Sequence, residues 1–497
     1  MKKIYSSLFI ILIYSSSFAN IRMVPATYTT IQAALSACVM GDTVLVQPGT
    51  YVGHISWPNV ANIKLYAVGD SSNTTISGNN VNNVISFSSL SAVDSNTVVR
   101  GFKITDGHLL GSTCHGGGIY ISGCSPKFNA IAVTGNHIGA INWGYGAGVY
   151  CSNSSSRFYN SSIRANVTDS ASWGYGGGVY LGGGGTVVFK NVKIENNIVN
   201  SSSWNYGTGL YSSGASATLV NCTVKGNRTG VNASWYYGTG IYFEGGALTL
   251  INVIVASNTQ NTGGNFYYGA GIYLNHLSTS TTATLMNVTV TDNHKTDNGS
   301  VNGAGLYTTT GDTVNVVNSI FWNANGGPTE IGGSGTVTVV YSDVRNSFTG
   351  TGNILTNPLF ASATDFHLSS ASPCINAGTL TGAPSFDLEN NPRPSPAGSN
   401  PDMGCYEISQ PVGITEVTQN TDVSIAPNPF TEQTTITFTE EQKNVSVKII
   451  DMLGKEINTI NFSGQQLIIE KGEMKQGIYF VEIANQGNVI TKKIIVQ

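Results

Sequence analysis

A phrase of aromatic residues and glycine returns along the middle of the chain at a nearly fixed step. That period restricts the fold more than any other feature. "NWGYGAGVY" ends at Tyr150 and is followed by "SWGYGGGVY", "SWNYGTGLY", "SWYYGTGIY" and "NFYYGAGIY", ending at Tyr180, Tyr211, Tyr242 and Tyr273. Counting from Tyr120 to Tyr307, the steps are 30, 30, 31, 31, 31 and 34 residues. A second phrase keeps the same beat, from "FYNSSIRAN" to "LMNVTVTDN". It places Asn at 160, 191, 221, 252 and 287, each with another Asn six residues later. A repeat of 20–50 residues means a solenoid, a propeller or an array.

Within each unit the apolar residues alternate. Ile163, Ile194, Val224, Val255 and Val290 form one column, with Val192, Cys222, Val253 and Val288 two residues earlier. Period two means strands, and no ten-residue stretch of helical spacing occurs in the units, which removes helical and leucine-rich solenoids. A propeller blade needs more residues for its four strands. About three short strands per coil, stacked at about 4.8 Å, make a parallel β-helix. In such a stack like sits on like, so Asn at a bend forms a ladder with the Asn above and below. Asn also tolerates the left-handed backbone of a bend. The Gly-x-Gly pairs leave room where the chain turns into the next strand. The aliphatic residue before each Tyr points inward, so alternation turns the Tyr outward.

Only 10% of the 497 residues are charged, and the net charge is -4. That balance gives no reason to expect nucleic acid, and no Lys/Arg run marks a membrane surface. Residues 1–19 read as an export signal: Lys2 and Lys3, then an apolar run, then Ser17-Phe18-Ala19. Seven cysteines are an odd count, and none has the spacing of a metal site. No metal or cofactor is expected, and a monomer is.

The stretch "VPATYTTIQAALSACVMGDTVLVQPGTY", followed by "VVRGFKITDG", resembles the start of right-handed β-helix proteins of the pectin-lyase-like superfamily. The resemblance implies a β-helix over 20–345, with a capping helix near 29–39. It says little about activity, since that fold hosts lyases, hydrolases, esterases and adhesins. Locally, Thr29-Thr30-Ile31-Gln32 reads as a capping box opening a short helix with Ile31, Ala34, Leu35 and Cys38 on one face. Such a helix would cover the open end of the first coil.

Residues 346–407 resemble the choice-of-anchor Q type segment that closes many bacterial β-helices. That pattern has small or aliphatic residues where this chain has Cys374 and Cys405. The paired departure implies a disulfide closing a loop of about 30 residues, worth roughly 3 kcal/mol; the alternative is two buried thiols. Residues 408–422 read as a linker. Alternating strands over 423–497 suggest a small Ig-like β-sandwich. This segment resembles the type A sorting domain of the type IX secretion system. The matching residues are Pro427, Asn428, Pro429, Asp451, Gly454, Lys455, Gly477, Tyr479, Lys492 and Lys493. The resemblance implies export across both membranes, with the secretion machinery as partner.

For chemistry, hydrolysis of a polysaccharide needs two carboxylates about 5–10 Å apart. Glu244 is the only ionisable residue in the column two positions past each Tyr, with His276 nearby. These are the candidate catalytic groups, against the plainer reading of one exposed Glu. Asp106, His108 and His115 near the first coils are a second, weaker group. Three aromatic rows remain: Trp143, Trp173, Trp204, Trp235 and Phe266; Tyr145 to Tyr268; and the strand row containing Tyr150, Tyr180, Tyr211 and Tyr242. Sugars stack on exposed rings, which makes the tryptophans and strand tyrosines candidate glycan contacts. Rings about 4.8 Å apart also stack on each other, so the first reading is scaffold that pins an extra loop. The expected function is surface interaction, glycan binding or adhesion, with a polysaccharide lyase or glycoside hydrolase acting on the Tyr-bearing face as the alternative.

Overall fold

The computed structural model describes residues 19–170, 172–230, 233–276, 279–297, 299–408, 423–485 and 488–497. The expected export signal up to residue 18 and linker residues 409–422 lie outside these. The chain divides into two compact units, Met1–Ser409 and Gln410–Gln497.

Among the described residues the first unit is a parallel β-helix with sheets of nineteen, eleven and ten strands. One coil runs through Val149–Ser152 in the ten-stranded tyrosine sheet and Arg157–Arg164 in the nineteen-stranded long sheet. It returns through Val167–Ser170 and Trp173–Tyr175 in the eleven-stranded tryptophan sheet. Register is strict: Tyr120, Tyr150, Tyr180, Tyr211, Tyr242, Tyr273 and Tyr307 sit opposite one another on successive strands. Their aliphatic predecessors, from Val149 to Ile272, are buried. The core also carries a stack of Phe128, Phe158 and Phe189 at 4.8 and 5.2 Å. The repeat length follows from this alternation, since a change of one residue in a strand would turn its inward set outward.

The two asparagine columns have different jobs. Asn160, Asn191, Asn221, Asn252, Asn287 and Asn318 bend the long sheet at φ between 49° and 56°, a left-handed conformation that Asn tolerates better than most residues. The column six residues later is a buried ladder. From Asn136 through Asn166, Asn197, Asn227, Asn258 and Asn293 to Asn323, each Nδ2 donates to the next Oδ1 at 2.8–3.0 Å. Each backbone N–H donates to the same oxygen. The ladder ends on Glu330, whose carboxylate accepts both the amide and the Nδ2 of Asn323. Gly148 lies against the next coil: a Cβ there would sit 2.5 Å from the Gly178 carbonyl.

The capping helix is Ile31–Ser36, and Ile31, Ala34 and Leu35 are buried in the core of the first coils. Thr30 is its N-cap, accepting from Ala33 N at 3.1 Å. Gln32 does not complete a capping box. Its side chain reaches the terminal strand Ile55–Ser56 of the tyrosine sheet, accepting from Ser56 N at 2.8 Å and donating to Ser56 O at 3.1 Å. The side-chain amide thus stands in for the missing neighbour strand, which blunts the open edge.

Residues 346–407 pack on the outer face of the last coils. The outward columns of the long sheet explain the position. Arg164, Glu195 and Lys225 give way to Ala256, Thr291 and Trp322. Lys193 and Thr223 give way to Ile254, Thr289 and Ile320. Phe366, Leu368, Cys374, Met403 and Cys405 cover the apolar part. The bend asparagines then dock the segment: Asn252 donates to Phe386 O, Asn287 to Asp402 O and Gly404 O, and Asn318 to Thr379 O.

The second unit is a five-stranded antiparallel sheet, in the order Val423–Ala426, Gln433–Asp451, Gly477–Asn485, Asn488–Val496, with Glu456–Glu470 also paired to Gln433–Asp451. Bulges between Thr437 and Val445 break the longest pairing, and Phe430, Phe438, Val447, Val481 and Ile494 are in its core.

Candidate functional site

The tyrosines facing out of the β-helix are largely covered, most of all at the centre of their row. Tyr211, Tyr242 and Tyr273 are buried, because the row Tyr145, Tyr175, Tyr206, Tyr237 and Tyr268 lies against them. Within each row the rings stack at 4.9–5.6 Å. Between rows they meet edge to face, as in Tyr145–Tyr180 at 5.0 Å and 72° and Tyr206–Tyr242 at 5.2 Å and 74°. Both arrangements suit the ring quadrupole. His115 takes the first place in the row, stacked on Tyr145 at 5.0 Å. Burial pushes the phenols of Tyr145, Tyr150, Tyr180, Tyr211 and Tyr242 above their ordinary range. Faces and edges of Tyr211 and Tyr242 are both used internally, while Tyr150 and Tyr180 stay half-buried within the same stack.

Glu244 stands at the rim of this cluster. Tyr242 Oη donates to its Oε2 at 3.3 Å. Burial raises its carboxyl above the usual range, against hydrogen bonding from Asn275, Tyr242 and Ser213. Among the described residues no second carboxylate is joined to it by a hydrogen bond. His276 lies apart, with its amide on Thr309 Oγ1 at 2.7 Å and its ring against the Gly311 turn. Among the described residues no hydrogen bond or ion pair joins His276 to Glu244. A lone carboxyl can move a proton but cannot divide acid and nucleophile roles between two groups.

The tryptophan row is different. Trp143 is 42% exposed and Phe266, at the other end, 38%. Trp173 and Trp204 stack at 4.7 Å, and Trp235 and Phe266 at 3.8 Å. Between these pairs the planes turn: Trp204 meets Trp235 at 79° and 6.5 Å, and Trp143 tilts 38° from Trp173 at 6.0 Å. The row therefore breaks into short stacks and opens a wedge at Trp143. Four coil steps of about 4.8 Å make it about 19 Å long.

A cleft that the sequence reading missed lies where the charged outward columns meet the closing segment. Its volume is about 570 Å³. One wall carries Lys193 and Lys225, the other Asp365, His367, Glu389 and Tyr406. His367 Nδ1 is 2.5 Å from Asp365 Oδ1 and Nε2 is 3.3 Å from Glu389 Oε2, with the ring stacked on Tyr406 at 3.7 Å. Burial alone would lower His367, but the two carboxylates outweigh it and raise its pKa. The change from charged to apolar residues along the columns through Lys193 and Glu195 was the sequence signal for this boundary.

Cys374 and Cys405 form no disulfide. Both are free and buried, in separate apolar clusters. Cys374 Sγ donates to Asp343 Oδ2 at 3.3 Å, and Cys405 packs with Ile254, Ala256 and Phe366. What holds the segment instead is a buried ionic network. Arg393 Nε is 3.0 Å from Glu407 Oε2, both fully buried. Glu407 accepts from Ser395 N and Asp402 N, Asp402 from Asn376 N and Ile408 N, and Asp387 from Asn391 N and Glu407 N. The paired charges and their backbone donors hold the segment in one arrangement, although Arg393 Nε and Nη1 make no hydrogen bond there; a bond between the thiols would require them to leave their pockets.

In the C-terminal unit the motif residues make turns and pair the chain end. Asn428 Nδ2 donates to Lys493 O and Oδ1 accepts from Ile495 N. Pro427 O accepts from Thr434 Oγ1, and Pro429 precedes Phe430, which bridges to Val496. Asp451 Oδ1 accepts from Leu453 N and Lys455 N around Gly454 at φ 80°. Gly477 opens the strand carrying Tyr479, whose Oη donates to Lys475 O. Lys492 and Lys493 sit opposite Val481 and Phe480 on the last strand.

Two family patterns match the chain. Residues 147–348 match the family described as right handed beta helix region, and residues 424–497 the secretion system C-terminal sorting domain. No curated protein and no solved structure matches the chain.

Proposed function

We propose that this protein, a right-handed β-helix exported by type IX secretion to the cell surface or beyond, is a glycan-binding or adhesive surface protein that uses its tryptophan row. The observation that carries this reading is the contrast between the rows: the tyrosine rows are buried at Tyr211, Tyr242 and Tyr273 and half-buried along the rest, while Trp143 and Phe266 are exposed. A row about 19 Å long, exposed at both ends and half-buried between them, suits sugar rings that meet it at Trp143 and Phe266. Glu244, hydrogen-bonded to no second acid among the described residues, supports binding over cleavage. The test is a polysaccharide array probed with the mature chain and scored for retention and for new reducing or unsaturated ends. Retention without new ends is expected; new ends from any polysaccharide would overturn the non-catalytic reading. A second reading has its own observation: Asp365 and Glu389 flank His367 in a cleft, a pair of carboxylates of the kind hydrolysis needs. Cleavage abolished by Glu389→Gln would favour it.

A further inference from the structure

We propose that His108 and His137 form a surface binding site for a divalent transition-metal ion, cupric copper above others, with Asp169 as the group that orients the His137 ring. The strands His108–His115 and His137–Tyr145 pair in parallel with the two histidines directly opposite. His108 Nε2 lies 3.0 Å from His137 Nδ1, with ring centroids 4.6 Å apart and planes at 51°. The other nitrogen of His137, Nε2, is 2.6 Å from Asp169 Oδ2. Asp169 Oδ1 in turn accepts from Asn200 Nδ2 at 2.7 Å. Four coils thus contribute one chain of contacts: Asn200, Asp169, His137, His108.

The chemistry follows from which nitrogen is occupied. A carboxylate on Nε2 keeps the proton there in neutral His137, so the lone pair is on Nδ1, where it accepts from His108 Nε2–H until an ion takes that proton's place. A metal-bound histidine usually makes the same bond on its far nitrogen, which fixes the tautomer and raises ligand basicity. With metal–nitrogen distances of about 2.05 Å, two nitrogens 3.0 Å apart subtend about 94° at the ion. That angle suits tetragonal copper(II) or nickel(II) better than tetrahedral zinc, and copper(II) leads the affinity order. Binding moves the His108 proton from Nε2, where it faces His137 Nδ1 in the metal-free chain, to Nδ1 by exchange with water, so that Nε2 faces the ion; one N–H bond is exchanged for another and no electron moves. Gly139, opposite both Leu110 and Asp169, has no side chain of its own there, and Leu110 Cδ2 covers the place a Cβ would take. The side chains of His137 and Asp169 are 36% and 44% exposed, which leaves water free to complete the coordination. Among the described residues no three His, Cys, Asp or Glu side chains converge on one point, so this is a site of two protein nitrogens plus solvent.

The experiment uses the tag-free mature chain titrated with copper(II) by calorimetry, with glycine as a weak competitor, and electron paramagnetic resonance of the loaded protein. One ion per chain and a two-nitrogen spectrum are expected. His108→Ala and His137→Ala should each weaken binding at least tenfold. Asp169→Asn should weaken it about tenfold through the lost orienting contact. His367→Ala should leave it unchanged. Because a variant can fail to fold, the wild-type chain is also treated with diethylpyrocarbonate: copper should protect His108 and His137 selectively. Equal modification with and without copper, a one-nitrogen spectrum, or full affinity in His137→Ala overturns the site.

Discussion

Asn227→Ala is the sharpest perturbation of the buried ladder. The Asn227 side chain makes four hydrogen bonds. Oδ1 accepts from Asn197 N and Nδ2, both at 3.0 Å, and Nδ2 donates to Asn258 Oδ1 at 2.9 Å and Ile194 O at 3.0 Å. The site is fully buried, so no water replaces the lost partner. Removal strands two donors of Asn197. At about 1–3 kcal/mol for each buried unsatisfied group, the cost is about 4 kcal/mol. Asn191→Ala is the matched control. It shares the repeat but is exposed, makes one ladder bond to Asn160 at 2.9 Å, and sits at φ 56°. Its cost is mainly the left-handed backbone, about 1–2 kcal/mol. Denaturant unfolding followed by tryptophan fluorescence compares the two directly. Because coils contact only their neighbours, hydrogen exchange at the amides of 195–199 and 226–230 should localise the Asn227 loss. Equal cost for the two variants, or less than about 1 kcal/mol for Asn227→Ala, would refute the assignment of the inner column as the energetic one.

Other outcomes follow from the same contacts. In denaturant without reductant, all seven cysteines should react as thiols, since each is free in the fold; five would mean that Cys374 and Cys405 are bonded after all. Asp343 is pushed up to about 7 by burial, from an ordinary 3.8. Its folded form therefore holds a proton that the unfolded chain has released. The stability it adds is complete below about pH 4 and is lost as pH rises through about 7, on the order of 2–4 kcal/mol. Unfolding of the 1–409 unit should need more denaturant at pH 5 than at pH 8, and Asp343→Asn should flatten that slope; a steeper wild-type stability at pH 8 would contradict the sign. At the alkaline end the buried phenols, raised in the fold, favour the un-ionised state, so stability falls as pH rises above about 10. A spectrophotometric titration should find native tyrosines un-ionised well past the midpoint seen in denaturant, and coincident curves would sink the packed-row description.

Much of the fold was legible because the repeat places chemically identical residues in contact. Tyr on Tyr, Asn on Asn and Val on Ile need only the period and the alternation to be read. The sorting tail was legible for another reason: its motif residues make local turns and pair the chain end. Three features were not legible. Alternation turns Tyr211 outward, but it does not reveal that Tyr175 and Tyr206, 36 and 5 residues away on the chain, close over it. Gln32 looked like a local capping partner because sequence proximity hides the edge at Ser56 that it satisfies. The Cys374–Cys405 pairing was inferred from two departures in one pattern, yet each thiol fills a different apolar pocket. The cleft at His367 needed the docking of residues 346–407, and its signal lay in the outward column that changes from Glu195 and Lys225 to Ala256.

The division of labour between the aromatic rows is tested most directly by Trp143→Ala measured on both axes at once: retention on an immobilised polysaccharide bound by the wild type, and the unfolding midpoint. The ring is 42% exposed and meets Trp173 only at a tilt. The account predicts retention lowered tenfold or more with a midpoint within about 0.5 kcal/mol of wild type. A lowered midpoint with unchanged retention would make the tryptophan row scaffold like the tyrosines, and would contradict it.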